Sequence, residues 1–223
     1  MEHRALGRSG VDPAVAKDLS YLVVPPILLI LMLPYLRRCR DALGELFDLH
    51  RLTLRVVMGS IALGLVMRLM WWASTTFLIG IGVLRSDDPD AIVGPIIGWE
   101  CPALPIMALS ILVMGAVAPA TEEIVHRGFM LHGMLRYDRR VAIAASAAAF
   151  AVMHTIDSYA ATFIAGLVFA RQALNDRALW GPIVAHSTYN AATVFDWDCF
   201  RIVWNPERSD PVLGTMTWAP VPV

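Results

Sequence analysis

Apolar residues in this chain gather into runs long enough to cross a lipid bilayer, and that clustering limits the fold more than any motif does. A helix needs roughly 20 mostly apolar residues to span the hydrocarbon core. Runs at residues 19–36, 56–84, 103–120, 141–156, 159–174 and 179–196 meet or approach that length. They predict an all-α, polytopic integral membrane helical bundle of about six to eight transmembrane helices. Composition agrees, with 57% hydrophobic and 17% charged residues, against about half and a quarter in a soluble domain. The first run is followed by Arg37, Arg38 and Arg40 without a small-residue cleavage site, so it reads as an anchor that stays. A net charge of −1 gives no reason to expect a nucleic-acid partner. The three cysteines lack metal-type spacing and are too few for a disulfide scaffold.

The stretch 121–137 continues the helical pattern of 103–120, so 103–137 reads as one long, tilted helix with a kink at Pro119. Residues 92–99 are apolar but short, which fits a re-entrant or interfacial piece. Residues 142–151 are nearly all alanine, with Ser146 among them. Small side chains let transmembrane backbones approach closely, which puts this helix inside the bundle. Arginines orient the chain. Arg37, Arg38, Arg40, Arg51, Arg55, Arg136, Arg139, Arg140, Arg171 and Arg177 fall on one side. The other side holds Arg4, Arg8, Lys17, Arg85, Arg201 and Arg208, together with acidic Asp87, Asp88 and Asp90. The positive-inside rule then assigns 37–55, 136–140 and 171–177 to the cytoplasm. Trp99 and Trp197 fall at the outer interface and Trp180 at the inner one, where amphipathic rings settle.

Three places put costly groups at membrane depth: Glu122 and Glu123 with His126 and Arg127, then His154, then His186 with Asn190. An ionisable side chain at mid-bilayer costs at least about 2.5–3.5 kcal/mol. The turn Asp138-Arg139-Arg140 reads as the tip of a helical hairpin. Glu122 precedes Asp138 by sixteen residues and His154 follows Arg140 by fourteen. At about 1.5 Å per residue both lie roughly 21–24 Å from that tip, on antiparallel neighbours. After turns near Asp157-Ser158 and Asn175-Asp176, His186 and Asn190 share one helix face, four residues apart. Four side chains from three helices are thereby expected to converge. Glu123 and Arg127 stand at i and i+4, the favourable order for an ion pair, so Glu123 reads as structural. Glu122 points about 100° away around the helix. It is free to face His154 and to serve as a general base.

Residues 122–127 (Glu-Glu-Ile-Val-His-Arg), 150–154 (Phe-Ala-Val-Met-His) and 186–190 (His-Ser-Thr-Tyr-Asn) read EExxxR, FxxxH and HxxxN, in that order, on successive apolar segments. Together they resemble the three motifs of the CPBP family of CAAX proteases and bacteriocin-processing enzymes, formerly called Abi, over roughly residues 103–196. One EExxxR alone is a weak signal; three motifs in order are a specific one. No matched position departs from the pattern, and His126 stands where an aromatic residue is common. The resemblance implies an intramembrane endopeptidase of the glutamate type that uses no metal and no cofactor. It implies that Glu122 with His154 activates a water and that His186 and Asn190 stabilise the oxyanion. It implies that Glu123 and Arg127 hold the first motif in shape. Spacing alone does not assign His186 to the oxyanion.

The chain accordingly divides into an N-terminal transmembrane region of unassigned role, 1–102, a catalytic helical core, 103–196, and a non-membrane tail, 197–223. The expected substrate is a membrane-anchored or lipidated peptide or protein, cleaved near the cytoplasmic side of a bacterial inner (plasma) membrane. That substrate and the lipid bilayer are the expected partners, and nothing in the sequence fixes the oligomeric state. A non-catalytic membrane scaffold or bacteriocin self-immunity protein of the same fold is the alternative. A zinc metalloprotease would need an HExxH pair, which the sequence lacks. A transporter also uses buried ionisable residues, but no inverted repeat or pair of broken helices is visible. Arg68, mid-span, reads as a snorkelling or structurally paired side chain, or as a partner for a carboxylate of the site or the substrate. Phe150 reads as packing, and His126 and His132 as lying on other faces of their helix with no role. Ser187 points about 100° from His186 and lacks a glycine frame, which disfavours a serine mechanism. Cys101 and Cys199 fall on the outer side, where a disulfide is permitted but not required.

Overall fold

The computed structural model describes residues 13–38, 40–82, 108–109, 111–154 and 158–192, and all of its regular elements are helical. Helices α1 (Pro13–Arg38) and α2 (Arg40–Leu46) precede a 3₁₀ turn at Leu49–Arg51 and α3 (Leu54–Gly80). Helix α4 is a continuous helical run over 113–134 with two registers. Wide π-helical stretches at Val113–Val117 and Ile124–Leu131 flank an α-helical Ala118–Glu123, and His132–Met134 closes the run. Helices α5 (Arg139–Val152), α6 (Tyr159–Asp176) and α7 (Trp180–Ala191) complete the bundle. Trp99, Cys101, Trp197, Cys199, the 85–90 acidic loop, the 92–99 segment and the tail 197–223 lie outside the described residues.

Local chemistry sets the helix ends. The Thr53 hydroxyl accepts from the Val56 N–H (3.3 Å) at the start of α3. The Asp138 carboxylate accepts from the Arg140 and Val141 N–H groups (2.8 and 2.9 Å) at the start of α5. Both caps satisfy donors that a helix N-terminus leaves open. Pro182 sits in the first turn of α7, where its missing N–H has no intrahelical partner to lose. Helix α6 stops at Arg177, whose φ of 50° is left-handed, a common helix terminator.

Pro119 accounts for the first wide stretch. Its ring removes one N–H and crowds the carbonyl four residues back. Bonding from i to i+5 relieves that crowding, and the Ala118 N–H accordingly reaches the Val113 carbonyl. In this register the donor missing at Pro119 leaves the Met114 carbonyl without an intrahelical partner. Asn190 of α7 supplies one, its Nδ2 donating at 3.0 Å. The second wide stretch is met in the same way. The Ser146 hydroxyl donates to the His126 carbonyl at 2.8 Å, and the His132 ring bonds the Arg127 carbonyl. The kink expected at Pro119 is therefore a change of register inside one helix.

The helices meet through small residues. A Cβ added to Gly166 of α6 would lie 2.8 Å from the Ala147 Cα of α5, and one added to Gly64 of α3 would lie 2.9 Å from the Thr188 Cβ of α7. Helix α3 buries only Ser60, Gly64 and Thr75, and by length and composition it is long and apolar enough to cross a bilayer. Polarity is distributed inside-out. Arg127 and Glu123 are among the largest fully buried side chains, while Ile30, Leu31, Leu54, Leu69, Met70 and Phe77 are each more than half exposed.

One expected span is shorter than read. Helix α5 ends at Val152 in a tightened turn, where Met153 and His154 bond back to Phe150 and Ala151, so His154 lies just past the helix. Helix α7 is described to Ala191. The 14 residues of α5 give about 21 Å of helix, short of a bilayer core of about 30 Å. The alanine-rich α5 is also only half inside. Ala142, Ser146, Ala147, Phe150 and Ala151 are buried, whereas Val141 and Val152 are exposed.

The loops at 37–55 and 171–179 do meet at one end of the bundle. The Leu179 N–H donates to the Leu46 carbonyl at 2.9 Å, Arg51 donates to the Arg177 carbonyl, and Phe47 meets Trp180 edge-on at 5.4 Å. Gly166→Ala should lower stability by about 1–3 kcal/mol, because α5 has no room for the methyl. Gly59→Ala, which meets nothing within 4 Å, should leave the thermal midpoint in detergent unchanged or slightly raised.

Candidate active site

Two adjacent glutamates of α4 occupy opposite environments. The Glu123 side chain is fully buried, with one oxygen 3.1 Å from Nε of the equally buried Arg127 and the other 2.9 Å from Nδ1 of His186. The contact with Arg127 is ionic rather than a well-aligned hydrogen bond. A carboxylate taken out of water is tolerated only when it is paired, and here cations or donors flank both oxygens. Arg127 is held from several sides. Its Nη2 donates to the Gly166 carbonyl at 3.3 Å. The guanidinium carbon sits 4.4 Å above the Phe150 ring and 5.4 Å from that of Phe169, contacts worth about 2 kcal/mol each when desolvated.

His186 joins the two glutamates. A carboxylate only accepts, so the 2.9 Å contact to Glu123 makes Nδ1 the protonated nitrogen. Its other nitrogen, Nε2, turns toward Glu122 with 3.9 Å between them. Phe169 stacks on the ring (centroids 5.2 Å, 22°) and Phe150 meets it edge-on at 5.6 Å. The side chain of His186 is only 5% exposed, whereas that of Glu122 is 35% exposed. Of the two glutamates, then, Glu122 is the one that water and a ligand can reach.

His154 lies on the far side of Phe150. Its ring packs against that phenyl group at 4.7 Å, and its Nδ1 donates to the Phe150 carbonyl at 2.8 Å. This tautomer leaves Nε2 with a lone pair. The expected Glu122–His154 pairing is replaced. Among the described residues no hydrogen bond or ion pair joins them, and the nearest ionisable neighbour of Glu122 Oε2 is His186 Nε2 at 3.9 Å, beyond hydrogen-bond reach. The cause is local: α5 stops two residues before His154, whose ring folds back on its own helix end. Asn190 shares the buried face of α7 with His186 but spends its amide on Met114.

Three residues belong to this cluster that the sequence did not assign to it. Phe150 is its hub, touching Arg127, His126, His154, Phe169 and His186. Phe169 carries no motif. Its spacing with Gly166, Ala170 and Ala173, all buried on one face of α6, was the available signal. His126 is buried and meets Phe150 edge-on at 5.4 Å, inside the cluster rather than on another face. Arg68 is half-buried on α3, one turn beyond Gly64.

With this geometry in view, residues 104–192 match the family model described as Rce1-like, type II CAAX prenyl endopeptidase. That segment is similar to the CAAX-protease family. The match spans the helices that carry all three motifs. No curated protein and no solved structure gives a significant match.

Within the matched segment, the buried pair should dominate stability. Arg127→Met leaves Glu123 charged and uncompensated and should cost about 3–5 kcal/mol, with partial recovery in the Glu123→Gln/Arg127→Met double variant. Asn190→Ala orphans the Met114 carbonyl and should cost about 1–3 kcal/mol. Chemical unfolding in detergent reads both.

Proposed function

We propose that this chain is a polytopic membrane endopeptidase in which Glu122 is the catalytic base. The observation that carries this reading is the division of labour between neighbouring glutamates. Glu123 is sealed between Arg127 and His186, while the partly open Glu122 lies 3.9 Å from the other nitrogen of the same histidine. A fixed imidazole beside a carboxylate whose side chain is partly open to solvent suits the activation of a water.

In the proposed reaction Glu122 takes a proton from water, and the water oxygen forms a bond to the scissile carbonyl carbon. His154, whose Nε2 keeps a lone pair, helps to hold that water. His186 and Asn190 stabilise the oxyanion, His186 through Nε2 when the ring is protonated and Asn190 through the amide proton not donated to Met114. Collapse breaks the C–N bond, and the proton held by Glu122 passes to the departing amine. General-base action of this kind contributes about 10²–10⁴-fold, and one oxyanion donor about 10²–10³-fold. Glu123 and Arg127 position His186 and do not meet the substrate.

The exposed apolar flanks of α1 and α3 around a core of small and charged residues support a bundle embedded in lipid. In this reading 1–102 and 103–196 both span the membrane, 197–223 does not, and the loops 37–55, 136–140 and 171–177 face the cytoplasm. The substrate is a membrane-anchored or lipidated peptide or protein, and the location a bacterial plasma membrane.

The test compares membrane proteomes of cells carrying the wild-type chain or Glu122→Gln at matched expression. One or a few precursors should accumulate uncut in the variant, with turnover reduced at least about 10²-fold. Matching proteomes, together with a deletion phenotype that Glu122→Gln rescues, would instead assign the fold to a scaffold or immunity role.

A further inference from the structure

A second polar site lies at the C-terminal end of α4, beyond the mid-helix glutamates. A cavity of about 340 Å³ opens there between Glu45, Leu46, Arg51, His132, Leu174 and Arg177. Fixed bonds hold its walls. The Leu179 N–H donates to the Leu46 carbonyl at 2.9 Å, and Arg51 donates to the Arg177 carbonyl while Asp48 braces it at 3.6 Å. His132 is tied by its Nδ1 to the Arg127 carbonyl. None of these side chains takes part in the Glu122–Glu123–His186 cluster.

The charges point to the ligand. Two guanidinium groups, a carboxylate and an imidazole share one small volume with an apolar floor of Leu46, Ala173 and Leu174. A simple anion would meet Glu45, and a simple cation would meet two arginines. A compact zwitterion satisfies both signs. Arginine matches phosphate oxygens in geometry as well as charge, and a carboxylate is a natural acceptor for a primary ammonium. We propose that this cavity binds a phosphoethanolamine group, with its phosphate on Arg51 and Arg177 and its ammonium on Glu45. A bilayer phospholipid and a soluble phosphoethanolamine both present that chemistry. The site stands apart from the endopeptidase reading, so either can fail alone.

The test is native mass spectrometry of the full chain released from nanodiscs containing equal parts phosphatidylethanolamine, phosphatidylglycerol and phosphatidylcholine. Phosphatidylethanolamine should be retained about tenfold more than the others, the difference expected from one charge-assisted contact. Glu45→Gln and Arg177→Asn should each remove that preference while leaving the thermal midpoint in place. Asparagine suits the left-handed backbone at 177. The two variants lie on separate segments, so misfolding of one leaves the other informative. Displacement of the lipid by excess soluble phosphoethanolamine, but not by inorganic phosphate, would name the soluble compound as a sufficient ligand; no displacement would name the lipid. Equal retention of the three lipids would overturn the proposal, as would a preference that survives both substitutions. So would a phosphatidylglycerol preference that Glu45→Gln strengthens.

Discussion

The architecture around the motifs depends on one buried carboxylate. Glu123 is fully excluded from solvent, and its two oxygens are claimed by residues from different helices, Arg127 of α4 and His186 of α7. Removing an ion from water costs several kcal/mol even after relaxation, so each partner has to be held in place. Arg127 is fixed between the rings of Phe150 and Phe169 and the Gly166 carbonyl, and that carbonyl is within reach because Gly166 lets α6 close on Ala147. His186 is fixed by the same two phenyl rings. A single charge thereby sets the spacing of α4, α5, α6 and α7.

The backbone adds a second constraint. Two wide stretches within α4 free carbonyls that the helix cannot satisfy, and side chains take them up: Asn190 for Met114, Ser146 for His126, His132 for Arg127. In a nonpolar surrounding each unsatisfied group would cost several kcal/mol. Wide helical turns are frequent at functional sites because they re-aim side chains without breaking the helix. Here the α-helical stretch bearing Glu122 and Glu123 is bracketed by two of them. Asn190 thus has a structural duty independent of any part in chemistry, and its loss cannot be read as a purely catalytic effect.

Helical class, the Glu123–Arg127 pair and the placing of 37–55 on the same side as 171–177 were legible in the sequence. Each follows from a short-range rule: apolar run length, i to i+4 spacing, and the placement of arginines. What escaped depends on tertiary packing. Ending α5 at Val152 moves His154 out of the helix and gives Glu122 a different neighbour. The wide register of α4 turns His126 into the cluster, where regular helical spacing placed it elsewhere. Phe169 stacks on His186 across an α6–α7 contact where Gly181 leaves no room for a side chain against Gln172 and Asp176. A single sequence shows the glycines but not which neighbour each one admits.

The most direct measurement is the protonation of the His186 ring by nitrogen-15 NMR. The full chain, labelled at histidine, would be recorded in micelles at a pH where the ring is neutral. The account predicts a proton on Nδ1 and a bare Nε2, with the Nδ1 signal displaced in Glu123→Gln and retained in Glu122→Gln. A proton on Nε2 with Nδ1 bare would contradict it, because Glu123 would then not be the group that aims this histidine at Glu122.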